Sequence, residues 1–311
     1  GSLTESYKTE IVGEANDSNR WRTRLSAQLV QLLISSKTAR MVDKDMERTP
    51  LHWACHFFAR SSATSSNSPG DSELSPSVSN KIFQIIVDHN IEALTLQDRN
   101  GETPLHVIFS VVDEIQIREQ QRMTENHNIK AMESDLTNGG PTAFNPPKQL
   151  IELLLKCPDI DGQDIGDNFN ENGQPLVSAA SMENDKGFLP LHTALSTASS
   201  SECIELLIKS HPTGLVHASE EQMQTPLVHA FSSQFSAPLH PVDSLEVLLA
   251  SYPTSRHGTY MDGQLAIKME DALGMYPIHY ACQNQASLEN LKLLVDTFDQ
   301  CARYQNSDGD L

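Results

Sequence analysis

A six-residue pattern returns five times along this chain and fixes most of what the rest can fold into. It reads Thr49-Pro50-Leu51-His52-Trp53-Ala54, then Thr103-Pro104-Leu105-His106-Val107-Ile108 and Leu189-Pro190-Leu191-His192-Thr193-Ala194. It returns as Thr225-Pro226-Leu227-Val228-His229-Ala230 and Tyr276-Pro277-Ile278-His279-Tyr280-Ala281. Each copy has the makings of a helix start. A proline in the first turn loses no hydrogen bond, because the N–H there has no helical partner. The preceding threonine can cap the free amides. A second amphipathic segment follows each copy, at 81–89, 148–156, 202–210, 244–251 and 288–297. Ile204, Leu207 and Ile208 in one, and Leu291, Leu294 and Val295 in another, fall on one helical face. A single pair of this kind cannot bury its own apolar side, so stacking is required.

A T-P-L-H-x-A motif followed by a helix resembles the ankyrin repeat. The second and fifth copies also carry the turn that precedes the motif in that family, Asp98-x-x-Gly101 and Asp271-x-x-Gly274. The resemblance implies an all-α fold, an ankyrin-repeat solenoid of stacked helix pairs with extended inter-repeat turns. It also implies that His52, His106, His192 and His279 are structural and bond backbone groups that tie neighbouring turns. The fourth copy departs, with Val228 in that place and His229 after it.

The motif starts at 49, 103, 189, 225 and 276 lie 54, 86, 36 and 51 residues apart. Against a family period of about 33, three of the intervals carry insertions. They are expected at 59–79, 113–147, 159–187 and 253–270. The first is Ser-rich and reads as flexible. The second opens with helix formers that would prolong the inner helix. The last two would lengthen inter-repeat turns, and QLAIKM in the fourth could pair as a strand. Residues 1–20 read as a tail and 21–36 as a capping helix that opens an array over 21–311. Residues 306–311 read as the turn opening a truncated sixth repeat. The chain begins Gly1-Ser2, which reads as an excised fragment.

Composition narrows the function classes. Hydrophobic residues make up 38% of 311 residues, thin for one compact core but enough for layered repeats. Forty-one Asp and Glu face 22 Lys and Arg, a net charge of -19. That argues against nucleic acid and against anionic membrane surfaces, and it favours a partner with a basic surface. The same charge would also keep a long array soluble. Five cysteines, with no C-x-x-C spacing, make a disulfide scaffold or zinc ribbon an unsuitable reading and imply an intracellular setting, cytoplasmic or nuclear. No apolar run is long enough to insert in a membrane.

No constellation for catalysis stands out. Phosphate-loop, nucleophile-elbow, zincin and kinase motifs are all missing from the sequence. His52, Cys55 and His56 share a helical face with zinc-like spacing, but a fourth ligand is not evident. Asn168-x-Asn170-x-Asn172-Gly173 opens like a calcium loop, yet Ala179 stands where a bidentate Glu is needed. No metal and no cofactor is therefore expected, and the chain is read as a non-enzyme.

The leading reading is a protein–protein interaction scaffold. A regulatory ankyrin segment of a larger enzyme or channel is the alternative, and a metal-binding or enzymatic domain is a third. In the ankyrin family, partners meet the turns and the exposed part of the inner helix. The positions carried over are Met46, Arg48, His56, Phe57, Arg99, Asn100, Glu102, Asp185, Lys186, Phe188, Glu221, Gln224, Leu273, Met275 and Gln283. Most are polar, as a solvated face should be. Phe188, Leu273 and Met275 are not, and they read either as an anchor patch or as residues covered by the insertions at 159–187 and 253–270.

Overall fold

The computed structural model describes residues 34–64, 76–110, 146–156, 178–232, 240–252, 267–307 and 309, with the side chains of 60–64 and 76–79 left aside. Among the described residues there are helices and turns and no strand. After the short helix α1 (Ser36–Ala39) come α2 (Pro50–Thr64), α3 (Pro76–His89), α4 (104–110) and α5 (Lys148–Leu154). They are followed by α6 (Pro190–Ser196), α7 (Ser201–Ser210), α8 (Pro226–Ser232), α9 (Val242–Ala250), α10 (Pro277–Gln283) and α11 (Leu288–Thr297).

Pro50, Pro104, Pro190, Pro226 and Pro277 each occupy the first residue of a helix, where a missing N–H is harmless. The motif helices α2, α4, α6, α8 and α10 form an inner row and α3, α5, α7, α9 and α11 an outer row. Outer helices pack on one another in chain order, and α8 packs between α6 and α10. The motif's apolar residue, Leu51, Leu105, Leu191, Leu227 or Ile278, is buried in every unit. Ala194, Ala230 and Ala281 are fully buried, and the small side chain lets neighbouring inner helices approach. One continuous apolar core runs through all the units.

Polar side chains lock the rows where helices end. Asn90 Nδ2 donates to Ala39 O at 3.1 Å and Asn290 Nδ2 to His240 O at 2.9 Å. Ser244 Oγ donates to Ser199 O at 2.8 Å, and Tyr252 Oη to Leu215 O at 2.7 Å. Each bond satisfies a buried carbonyl that a helix terminus or turn leaves open.

Several expected boundaries move. The segment 59–79 is helical at both ends, because α2 runs on to Thr64 and α3 begins at Pro76. Serine is only mildly unfavourable within a helix, so the Ser-rich composition was a poor guide to the helix ends. The capping helix expected at 21–36 falls on residues outside the described ones up to 33, and the described α1 starts at Ser36, capped by Ser35 Oγ. Of the QLAIKM stretch only the last residues are described, and Ile267 is buried in a helical turn rather than a strand. The expected insertion at 113–147 lies almost wholly outside the described residues, and that at 159–187 lies outside them up to residue 177. Within the second of these, residues 184–187 belong to a regular turn instead. No described helix is long and apolar enough to cross a membrane.

Candidate functional site

The inner helices are launched from turns built to one plan. An Asx side chain closes each of the five-residue turns 98–102, 184–188 and 271–275. Asp98 Oδ1 accepts from the amides of Asn100 (2.9 Å) and Glu102 (3.1 Å). Asn184 Oδ1 accepts from Lys186 and Phe188, and Asp271 Oδ1 from Leu273 and Met275. A glycine with positive φ completes each: Gly101 at 71°, Gly187 at 73° and Gly274 at 70°. The turns 43–48 and 219–224 are one residue longer. There Asp43 and Ser219 take the acceptor role, and Glu47 (φ 58°) and Met223 (φ 51°) stand where the other turns use glycine. Asn306 and Gly309 repeat the five-residue plan in part, with Gly309 at φ 84° and its amide bonded to Asn306 O.

Backbone bonds knit successive turns edge to edge: Arg99 N to Met46 O at 2.8 Å, Asp185 N to Asn100 O at 3.0 Å, and Ala272 N to Gln222 O at 2.9 Å. The fit is close enough that a Cβ on Gly101 would lie 2.6 Å from Asp185 N.

Behind the turns, histidines bridge the units. In four of them Nδ1 accepts from the backbone amide three residues earlier: Thr49, Thr103, Leu189 or Tyr276. Nε2 then meets a carbonyl of the following turn: His52 with Glu102 O at 3.0 Å, His106 with Phe188 O at 2.9 Å, and His192 with Gln224 O at 3.2 Å. His279 Nε2 meets Tyr304 O at 2.9 Å, a carbonyl just ahead of Asn306. This pattern requires a neutral ring protonated at Nε2. Burial reinforces it, lowering the pKa of His52 and of His106 from 6.5 to about 4. Val228 takes the equivalent place in the fourth unit, where His229 instead bonds Gln224 Oε1 at 3.0 Å.

The structure sorts the sequence-derived face residues into two groups. Arg48, Phe188 and Gln224 are buried, which corrects their reading as exposed contact residues. The cause is positional. The residue after the positive-φ position reaches toward the next unit rather than to solvent. Arg48 Nε meets Asp98 Oδ2 at 2.7 Å, its Nη2 meets Glu102 Oε2 at 3.4 Å, and its guanidinium lies 5.6 Å over the Trp53 ring. The Phe188 ring sits 4.3 Å from that of His229 and 5.5 Å from that of His192. Described residues, His192 and His229, pack on Phe188, so it is not an exposed anchor; the parts of the insertions read as covering it lie outside the described residues. Gln224 faces Tyr280 and His229. Glu102 and Met275 hold the same position and are half-buried.

The second group is open. Arg99, Asn100, Asp185, Lys186, Glu221 and Gln283 are exposed, Met46 and His56 are partly so, and Phe57 and Leu273 are 61% and 68% exposed. Ser196, the last residue of α6, and Thr197 after it are buried, and Asn284 Nδ2 is committed to Phe231 O and Ser232 O of the preceding unit. Met223 was not among the positions read from sequence, because its place in the turn is usually glycine; it is 55% exposed. Trp53 was missed too. It packs with His56 and Phe57, with centroids 5.4 and 6.2 Å away, and donates to Asp43 Oδ2 at 3.1 Å.

No family model and no curated protein matches the chain. Among solved structures, it is similar to one chain of the complex between the Bd0816 predatory endopeptidase from Bdellovibrio bacteriovorus and immunity protein Bd3460. That match has a TM-score of 0.39 and 13% identity over 77% of this chain and 89% of that one. A likeness this slight says nothing of what this chain does.

The bridging histidines have both ring nitrogens engaged, so none offers a lone pair to a metal or a proton acceptor to a substrate. His52 is one of them, and its neighbour Cys55 is fully buried, with burial pushing its thiol pKa up. Among the described residues no three His, Cys, Asp or Glu side chains group to hold a metal. The calcium-like stretch 168–173 lies outside the described residues.

Proposed function

We propose that this chain is an ankyrin-type repeat array that acts as a protein-interaction scaffold, binding a partner through its turns and inner helices and carrying out no reaction of its own. One observation carries the reading. The turns are fixed to one another by backbone bonds and bridging histidines, while their outermost side chains stay exposed and differ from unit to unit. A rigid frame with variable, solvent-facing side chains is what selective recognition needs, because little conformational freedom is lost on binding. The free thiols of Cys55, Cys203, Cys282 and Cys301 fit an intracellular setting.

The test compares faces. Phe57→Glu and Arg99→Glu alter the proposed face, and Leu288→Glu alters an outer-row residue more exposed than Phe57. A partner recovered by proximity crosslinking should be lost with the first two and retained with the third. Loss with Leu288→Glu alone would overturn the reading.

A further inference from the structure

The fourth and fifth turns differ from the others in a way that selects a kind of partner. Met223 and Leu273 are both large, apolar and more than half exposed, and they project from adjoining turns. The bond from Ala272 N to Gln222 O joins the residues beside them, so the two side chains belong to one surface. Met223 holds a backbone conformation, φ 51°, that three other turns give to glycine. A methionine there carries local strain and leaves its side chain in water, so fold stability does not account for it. On these two turns the charge has one sign, the nearest cations being Lys186 on the third turn and Lys268, which lies over the Phe298 ring. Glu220 and Glu221 are exposed on the fourth turn, Glu270 is exposed just before the fifth, and neither turn contains a cation. Among the described residues Glu220 and Glu221 take part in no ion pair. At the other end of the array Arg48 and Arg99 pair with Asp98, Glu102 and Glu47 across the turns.

We infer that the edge formed by turns 219–224 and 271–275 docks a basic amphipathic peptide segment, its apolar side chains seated on Met223 and Leu273 and its lysines or arginines facing Glu220 and Glu221. This rests on the scaffold reading and adds the chemistry of the partner. Apolar anchors provide the contact area, and the rim carboxylates steer approach and reject acidic chains.

The test uses the full chain and a labelled peptide of leucines and lysines patterned as an amphipathic helix, followed by fluorescence anisotropy. Two control peptides replace every lysine by glutamate or every leucine by serine. The first peptide should bind, more weakly as salt rises, and both controls should bind at least about tenfold less well. Two substitutions remove the anchors without threatening the fold, since each installs what another turn already has at that place. These are Met223→Gly, as at Gly101, and Leu273→Asn, as at Asn100. Each should weaken the peptide about tenfold while leaving the melting temperature equal or, for Met223→Gly, higher. Unchanged binding in these variants overturns the inference, as does equal binding of the serine peptide, which would mark simple charge attraction. If the leucine–lysine peptide does not bind at all, but the crosslinked partner still depends on Phe57, the inference fails and the scaffold reading stands.

Discussion

The joint between the first two turns and the joint between the fourth and fifth solve the same problem with different chemistry. Both keep the backbone bond between turns, from Arg99 N to Met46 O in one and from Ala272 N to Gln222 O in the other. The first adds a buried ion pair, Arg48 with Asp98, a bridging histidine, His52, and the exposed pair Arg99–Glu47. The second has Val228 in place of the histidine and relies on side-chain amides. Asn284 bonds Phe231 O and Ser232 O, and Gln224 lies between His229 and Tyr280. At the first joint charged groups are used up in holding the turns together. At the second they are left to solvent, beside apolar tips. Paired and unpaired charges present different chemistry to solvent, so on the scaffold reading proposed above the two joints would offer a partner different contacts.

The largest effect should come from removing the cation of the first joint. Arg48→Met leaves Asp98, whose side chain is fully buried, without its partner and should cost about 3–5 kcal/mol in urea unfolding. No single charge deletion in turns 219–224 should approach this. An equal loss for Glu221→Gln would erase the contrast between the joints.

Acid should act next. Burial lowers the pKa of His52, His106, His229 and His240 from 6.5 to about 4. Between those values the unfolded chain takes up protons that the folded chain refuses. Stability is therefore complete above about pH 6.5 and falls as the pH drops toward 4. At pH 5.5 each such histidine should account for about 1 kcal/mol. Melting temperatures that stay flat from pH 7 to 5 would contradict this burial.

A smaller loss tests the bridges one at a time. His192→Val gives the third unit the residue that the fourth already has at this place, and it leaves Gln224 O without its imidazole donor. The loss should be about 1–3 kcal/mol, measured by thermal unfolding. If it is negligible, the missing histidine does not distinguish the fourth joint from the others.

The smallest effects come from the turn tips, and they should have opposite signs. Gly101→Ala places a Cβ against Asp185 N at positive φ and should destabilise by about 1 kcal/mol or more. Met223→Gly relieves a strained φ and should shift stability by less than about 1 kcal/mol, in the stabilising direction.

Much of the fold was legible because it is written locally. A proline followed by apolar residues marks a helix start wherever it occurs, and the five starts could be placed to the residue. The outer helices were nearly as clear, since Ile204, Leu207 and Ile208 recur at helical spacing. Less legible was anything set by contact between units. Nothing local in the sequence distinguishes Arg48, Phe188 and Gln224 from their exposed neighbours. Their burial arises because the residue after a positive-φ turn position points into the next unit. Met223 escaped notice for the opposite reason, since its place in the pattern is normally filled by glycine and has no side chain to consider. The positions of the third turn were read, but not its Asx-to-glycine plan, because Asn184 replaces the aspartate of Asp98 and Asp271, although its amide oxygen accepts the same two bonds.

The bridging histidines also bear on how the chain is made. Every acceptor lies downstream of its donor, by 50 residues for His52, 82 for His106, 32 for His192 and 25 for His279. A nascent chain leaving the ribosome therefore cannot satisfy one unit's imidazole until the next unit's turn has emerged. The wait is longest for His106, whose carbonyl partner is translated only after the whole 111–187 stretch. Synthesis runs at about 5–20 residues per second, so that ring stays unpaired for several seconds. The second unit is accordingly where a growing chain is most exposed to misassembly or to capture by a chaperone.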